Sequence, residues 1–133
     1  MKGVYILLIK IGKSTKKRIG ALGKIDFDKG SYAYVGSAQN NLEKRVARHM
    51  SKNKKMRWHI DYLLDNSSSK VIKVFYKKAG KAEECRIAKI LSKTEDPVAG
   101  FGCSDCKCGS HLFRIKNIKD VLHRGLDELE VYP

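Results

Sequence analysis

Residues 34–49 read YVGSAQNNLEKRVARH, and the pattern changes midway. Tyr34 and Val35 favour an extended chain, Gly36 stops it, and Asn40 or Asn41 can cap a helix running to about Met50. On that helix Leu42, Val46 and Met50 form the apolar stripe, with Arg45 and His49 beside it, one turn apart. Those two side chains should be partly sheltered and aimed at the strand, unlike Lys44 and Lys52. A half-buried arginine beside tyrosines calls for an anion, and phosphate suits a guanidinium well.

Working upstream, GVYILLIKI (residues 3–11) is aliphatic and β-branched and reads as a central strand, and SYAYVGS (31–37) as another. Between them Gly12, Gly20, Gly23 and Gly30 lie among charges, which predicts turns around a short strand near Arg18 to Ala21. Downstream, residues 58–65 read as a short helix, 71–76 as a strand, 82–91 as a helix and 97–109 as a Gly- and Cys-rich loop. HLFRI (111–115) reads as a short strand and 117–129 as a terminal helix within a C-terminal segment ending at residue 133. The expected architecture is one α+β domain over residues 1–133: a small, mixed, mainly antiparallel sheet of three to four strands flanked by helices.

No stretch approaches the roughly 20 apolar residues of a membrane helix. The apolar start is short, Lys10 interrupts it and no small-residue cleavage site follows, so the chain is expected to be cytoplasmic, without a membrane partner. Charge points to a polyanion: 28 Lys+Arg against 14 Asp+Glu give +14. Residues 44–57 hold Lys44, Arg45, Arg48, Lys52, Lys54, Lys55 and Arg57 without an acid, and Lys70, Lys73, Lys77, Lys78 and Lys81 form a second block. Acids gather instead at Asp127, Glu128 and Glu130. Arg48, Lys52, Lys54, Lys55 and Arg57 are therefore candidate nucleic-acid contacts, with Ser37 and with Gly36, whose missing side chain would let a phosphate approach the backbone.

Tyr5 and Tyr34, on neighbouring strands, could converge on one face of the sheet. Glu84 falls inside the apolar arc of its helix, between Leu91 and Ala88. A carboxylate there needs a cation or a partner. A favourable charge at a helix N-terminus, or an ion pair with one of many lysines, explains it equally well.

Taken in order, Gly3-Val4-Tyr5, Tyr34-Val35-Gly36-Ser37-Ala38, Arg45 with His49, and Glu84 resemble the GIY-YIG nuclease superfamily through most of the chain. GKIDFDKGSYAYVGSA, RWHIDYLL, EECRIA and GFGCSDCKCGSHLF further resemble its DUF123 branch. The resemblance implies an endonuclease acting on nucleic-acid phosphodiesters, DNA in preference to RNA, in repair or processing. It implies Mg²⁺ or Mn²⁺ on Glu84, charge stabilisation by Arg45, and a water positioned or deprotonated by Tyr5 or Tyr34 with help from His49. Because that branch also occurs fused to DNA-repair glycosylase domains, such a protein is an implied partner. The alternative is a non-catalytic nucleic-acid-binding module on the same fold. Three departures stand out: 28 residues separate Tyr5 from Tyr34, where a tight hairpin is usual, Glu83 adjoins Glu84 as a possible substitute, and no residue matches the Asn that many family members place after the Glu.

Cys103, Cys106, Cys108 and His111 read C-x₂-C-x-C-x₂-H, and Cys85 is the fourth thiol. Cys85, Cys106, Cys108 and His111, with Cys103 as a substitute, could hold a structural zinc ion; buried free thiols are the alternative. His59 and Trp58 read as packing residues and His123 as a surface one.

Overall fold

A computed structural model describes residues 1–103, 108–116 and 126–129. The aliphatic run predicted as a central strand is β1 (Gly3–Ile11), buried along almost its whole length. Each such side chain contributes about 1.5–3 kcal/mol by leaving water. The small hairpin of β2 (Thr15–Arg18) and β3 (Lys24–Phe27) follows, its tip formed by a single 3-10 turn, Gly20–Leu22. Next come β4 (Gly30–Ala38), α1 (Leu42–Met50), α2 (His59–Leu64), β5 (Ser69–Lys77), α3 (Lys81–Leu91), β6 (Asp96–Pro97), β7 (Leu112–Arg114) and β8 (Asp127–Leu129).

Six strands form one sheet in the order β6-β7-β4-β1-β5-β8, antiparallel at every pairing. Alternation along β1 divides the core. Tyr5, Leu7, Ile9 and Ile11 pack with Leu42 and Val46 of α1 and Ile60 and Leu63 of α2. Val4, Ile6 and Leu8 face the other way, onto Ile87, Ala88 and Leu91 of α3. The sheet therefore lies between α1 with α2 on one side and α3 on the other.

The mixed α+β class, the antiparallel sheet and the helices follow the expectation; the strand count does not. The sheet has six strands rather than three or four, plus the separate two-stranded hairpin. The strand expected near Arg18 to Ala21 is instead β2, ending at Arg18, paired with an unforeseen β3. Gly20 and Gly23, at φ 47° and 79°, turn the chain between them. That hairpin accounts for the long separation of Tyr5 and Tyr34. Asp127–Leu129 is a strand, not the end of a helix, because it pairs with Val74–Tyr76 at the open edge of β5. Residues 117–125, with His123, lie outside the described residues, as does Glu130. Among the described residues no helix is long and apolar enough to cross a membrane.

Candidate active site

β7 pairs with β4 only along Tyr32–Tyr34, and one further bond joins the Val35 N–H to the His111 carbonyl. Beyond that point β7 leaves the edge of β4, so side chains from both faces of the sheet can meet around Gly36–Ala38. A cavity of about 540 Å³ lies there, lined by Tyr5, Tyr34, Gly36, Ser37, Arg45 and Glu84 among others.

Each group has a local cause. Asn41 caps α1 by accepting the Lys44 N–H at 3.0 Å, which sets the phase of the helix and is worth about 1 kcal/mol. Arg45 then reaches the strand edge, Nη1 donating to the Ser37 carbonyl at 3.2 Å, while its guanidinium carbon lies 4.4 Å from the centre of the Trp58 ring. His49, one turn on, is buried, and its Nε2 is 2.7 Å from the Tyr5 hydroxyl oxygen. Burial pushes the imidazole down to about 3, and Lys54 adds to the effect, so His49 is uncharged near neutral pH. Burial raises Tyr5, against the pull of Arg45, and raises Tyr34 well above the usual phenol range. Both phenols are therefore protonated hydroxyls at rest.

Glu84 arrives from the opposite face of the sheet. Oε1 accepts the Ser37 hydroxyl at 2.6 Å, and Oε2 lies 2.7 Å from Nδ1 of the buried His111. A carboxylate offers about four acceptor sites, so lone pairs remain for a cation. Glu83, its possible substitute, is not in the cavity lining. It is paired with Lys77 and Arg86, whose hydrogen bonds, Arg86 first, bring its carboxyl down to about 2.

Tyr5, Tyr34, Arg45 and Glu84 are thus brought together with Gly36 and Ser37, and His49 stands behind Tyr5. Gly36 also has a packing reason for being glycine. A Cβ there would lie 2.6 Å from both Cζ and the hydroxyl oxygen of Tyr5, its cross-strand partner, so the space is filled by the Tyr5 ring. Gly36→Ala should displace the Tyr5 hydroxyl from His49 and lower stability by about 1–3 kcal/mol. Thermal unfolding of the variant checks this, and an unchanged midpoint would show that the ring has somewhere else to go.

The basic segment divides. Arg48 is held by Asp61 through two bonds of 2.9 and 3.0 Å and by the Lys55 carbonyl. Lys54 Nζ caps the end of α1 through the His49 carbonyl at 2.9 Å. Both were expected to contact nucleic acid, and both also hold bonds within the fold. Lys52, Lys55 and Arg57 are exposed, and only Arg57 of these lines the cavity.

Among the lining residues not expected as site groups are His59, Trp58 and Lys81. His59 Nδ1 accepts the Gly102 N–H at 2.8 Å, which places any ring proton of the neutral imidazole on Nε2. Lys81 sits three residues before Glu84 on the same helix, a spacing that puts both on one face and was visible in the sequence.

Of the thiol cluster, Cys85, Cys108 and His111 offer ligand atoms that all lie within 4.8 Å of one another. Cys103 is not among them, its Sγ facing the Phe101 carbonyl at 3.6 Å. Cys106 lies outside the described residues.

Fold and cavity together define an α+β protein with a phenol, guanidinium and carboxylate pocket at a sheet edge. The chain belongs to the family described as "Domain of unknown function DUF123", which it matches over residues 4–131. No curated protein and no solved structure matches it.

Proposed function

We propose that this protein is a GIY-YIG-type endonuclease that hydrolyses nucleic-acid phosphodiester bonds with the aid of Mg²⁺ or Mn²⁺. The observation that carries this reading is the meeting of Tyr5, Tyr34, Arg45 and Glu84 in one cavity of a strongly basic chain. A pure binding module gains nothing from a carboxylate in its phosphate site, since that carboxylate repels the ligand unless a cation intervenes.

The donor set suits a hard cation: Glu84 supplies a carboxylate with free lone pairs, and Mg²⁺ commonly takes one or two protein carboxylates, with waters and phosphate completing its shell. When bound, the ion polarises a phosphoryl oxygen and stabilises the leaving oxygen. Arg45, fixed by Ser37 and Trp58, faces the phosphate and stabilises its growing negative charge. Tyr5, its hydroxyl held against Nε2 of the uncharged His49, positions the attacking water. Tyr34 orients the water, Ser37 holds Glu84, and Arg57 and Lys81 draw the backbone in.

The test is cleavage of labelled branched, duplex and single-stranded DNA and RNA with Mg²⁺ or Mn²⁺, comparing wild type with Arg45→Ala. Metal-dependent cutting, DNA before RNA, should fall about 10²–10³-fold in the variant. Tight binding without cutting on any substrate would leave a binding module and end the proposal.

A further inference from the structure

A second cluster sits behind the cavity and takes no part in the chemistry proposed above. Cys85 on α3 lies more than twenty residues in sequence from Cys108 and His111, on the segment leading into β7, yet the ligand atoms of all three lie within 4.8 Å of one another. Both thiols are free of disulfides and half-buried, and His111 is 2% exposed. We propose that Cys85, Cys108 and His111 hold a structural zinc ion that ties α3 to the segment entering β7, with Glu84 as the outer partner of His111.

The donor chemistry selects the ion. Two sulfurs and an imidazole are soft ligands that favour zinc over Mg²⁺ or Ca²⁺. Zinc–sulfur bonds of about 2.3 Å in a tetrahedron put neighbouring sulfurs about 3.8 Å apart, so the cluster closes on an ion with a shift of about 1 Å, within reach of cysteine side-chain rotation. The three protein ligands leave one tetrahedral position. Histidines on zinc commonly pair their other ring nitrogen with a carboxylate. Glu84 Oε2 lies 2.7 Å from His111 Nδ1, which places a carboxylate beside that nitrogen and leaves Nε2 for the ion in the proposed site.

This placement gives the zinc a consequence for the cavity. Glu84 and Cys85 are consecutive on α3, and the same histidine touches both the thiol cluster and the Glu84 carboxylate. An ion on His111 fixes the ring, and the ring in turn fixes one oxygen of Glu84. The rival arrangement, three residues packed only against each other, provides no such link.

The experiment is elemental analysis of the full chain purified under reducing conditions, followed by cobalt substitution. One equivalent of zinc that survives dialysis is expected, together with thiolate-to-cobalt charge-transfer absorption and the visible bands of a tetrahedral site. Cys85→Ser and Cys108→Ser should each lose the metal, and Glu84→Ala should weaken zinc by about 10–100-fold in competition with a chelator. Should the cysteine variants fail to fold, the wild-type stoichiometry and cobalt spectrum still decide. A folded, fully reduced wild type that binds neither ion overturns the site. Unchanged zinc affinity in Glu84→Ala overturns the outer-partner role. Neither readout depends on nucleic-acid cleavage.

Discussion

Glu84→Gln is expected to reduce metal-dependent cleavage by about 10³-fold or more, a loss of about 4 kcal/mol in transition-state stabilisation, while binding to nucleic acid is kept or tightened. The shape of the side chain survives, and its amide oxygen can still accept the Ser37 hydroxyl. What disappears is the negative charge. Among the described residues it is the carboxylate lining the cavity, where Arg45, Arg57 and Lys81 also lie, so the proposed cation would lose its protein anchor and the cationic side chains their counter-charge. A cation anchor and a simple ion-pair partner therefore predict different outcomes. An anchor lost costs rate and spares affinity. A partner lost changes affinity and leaves rate per bound complex alone. Single-turnover cleavage at saturating protein, set beside a binding isotherm in the same buffer, separates the two. Cleavage per bound complex equal to wild type would remove Glu84 from the chemistry.

The elements legible in the sequence are those whose pattern is imposed by burial. β1 shows as an aliphatic run because it is covered on both faces, and α1 shows because Asn41 and the Leu42, Val46 stripe mark its phase. Strands of two or three residues such as β6, β7 and β8 exist only through pairing, and no period can emerge from so short a stretch. Asp127–Leu129 was drawn into a helix by its neighbours, and the open edge of β5 overrides that local tendency. The site divides the same way. Arg45 stands out in the sequence because it lies beside the apolar stripe of α1, and Glu84 because it falls inside the apolar arc of α3. The packing reason for Gly36 is not legible, since its contact with the Tyr5 ring depends on strand register, which the sequence does not print. The ion pair of Arg48 is not legible because its partner, Asp61, lies on another helix, thirteen residues away.

That partner is where the second large effect is expected. Asp61→Ala should destabilise the fold by about 3–5 kcal/mol, a fall of roughly 10–15 °C in the unfolding midpoint for a chain of this size. Asp61 is fully buried, and its carboxylate gathers four donors: both terminal nitrogens of Arg48 and the backbone N–H groups of Arg57 and Trp58. Alanine leaves all four without their acceptor in a half-buried place. Burial alone would raise the Asp61 carboxyl, but the bonds from Arg48, Trp58 and Arg57 together outweigh it and hold it below its ordinary value. A lowered folded value means that the contribution is fully present above the unfolded value of about 3.9 and is lost as pH falls through the folded one. Wild type should therefore lose stability on acidification below about pH 4, and Asp61→Asn should be weaker at neutral pH with a flatter acid limb. Chemical denaturation from pH 7 down to pH 3 measures this, and parallel curves for the two proteins would assign the acid loss to other carboxylates. The consequence extends to the cavity, because the guanidinium carbons of Arg45 and Arg48 lie 4.4 and 4.3 Å from the centre of the same Trp58 ring. With Asp61 gone, Arg48 is an uncompensated positive charge beside Arg45. Arg45 is then pushed from the position in which Ser37 holds it, so a stability variant far from the reacting phosphate should also slow cleavage.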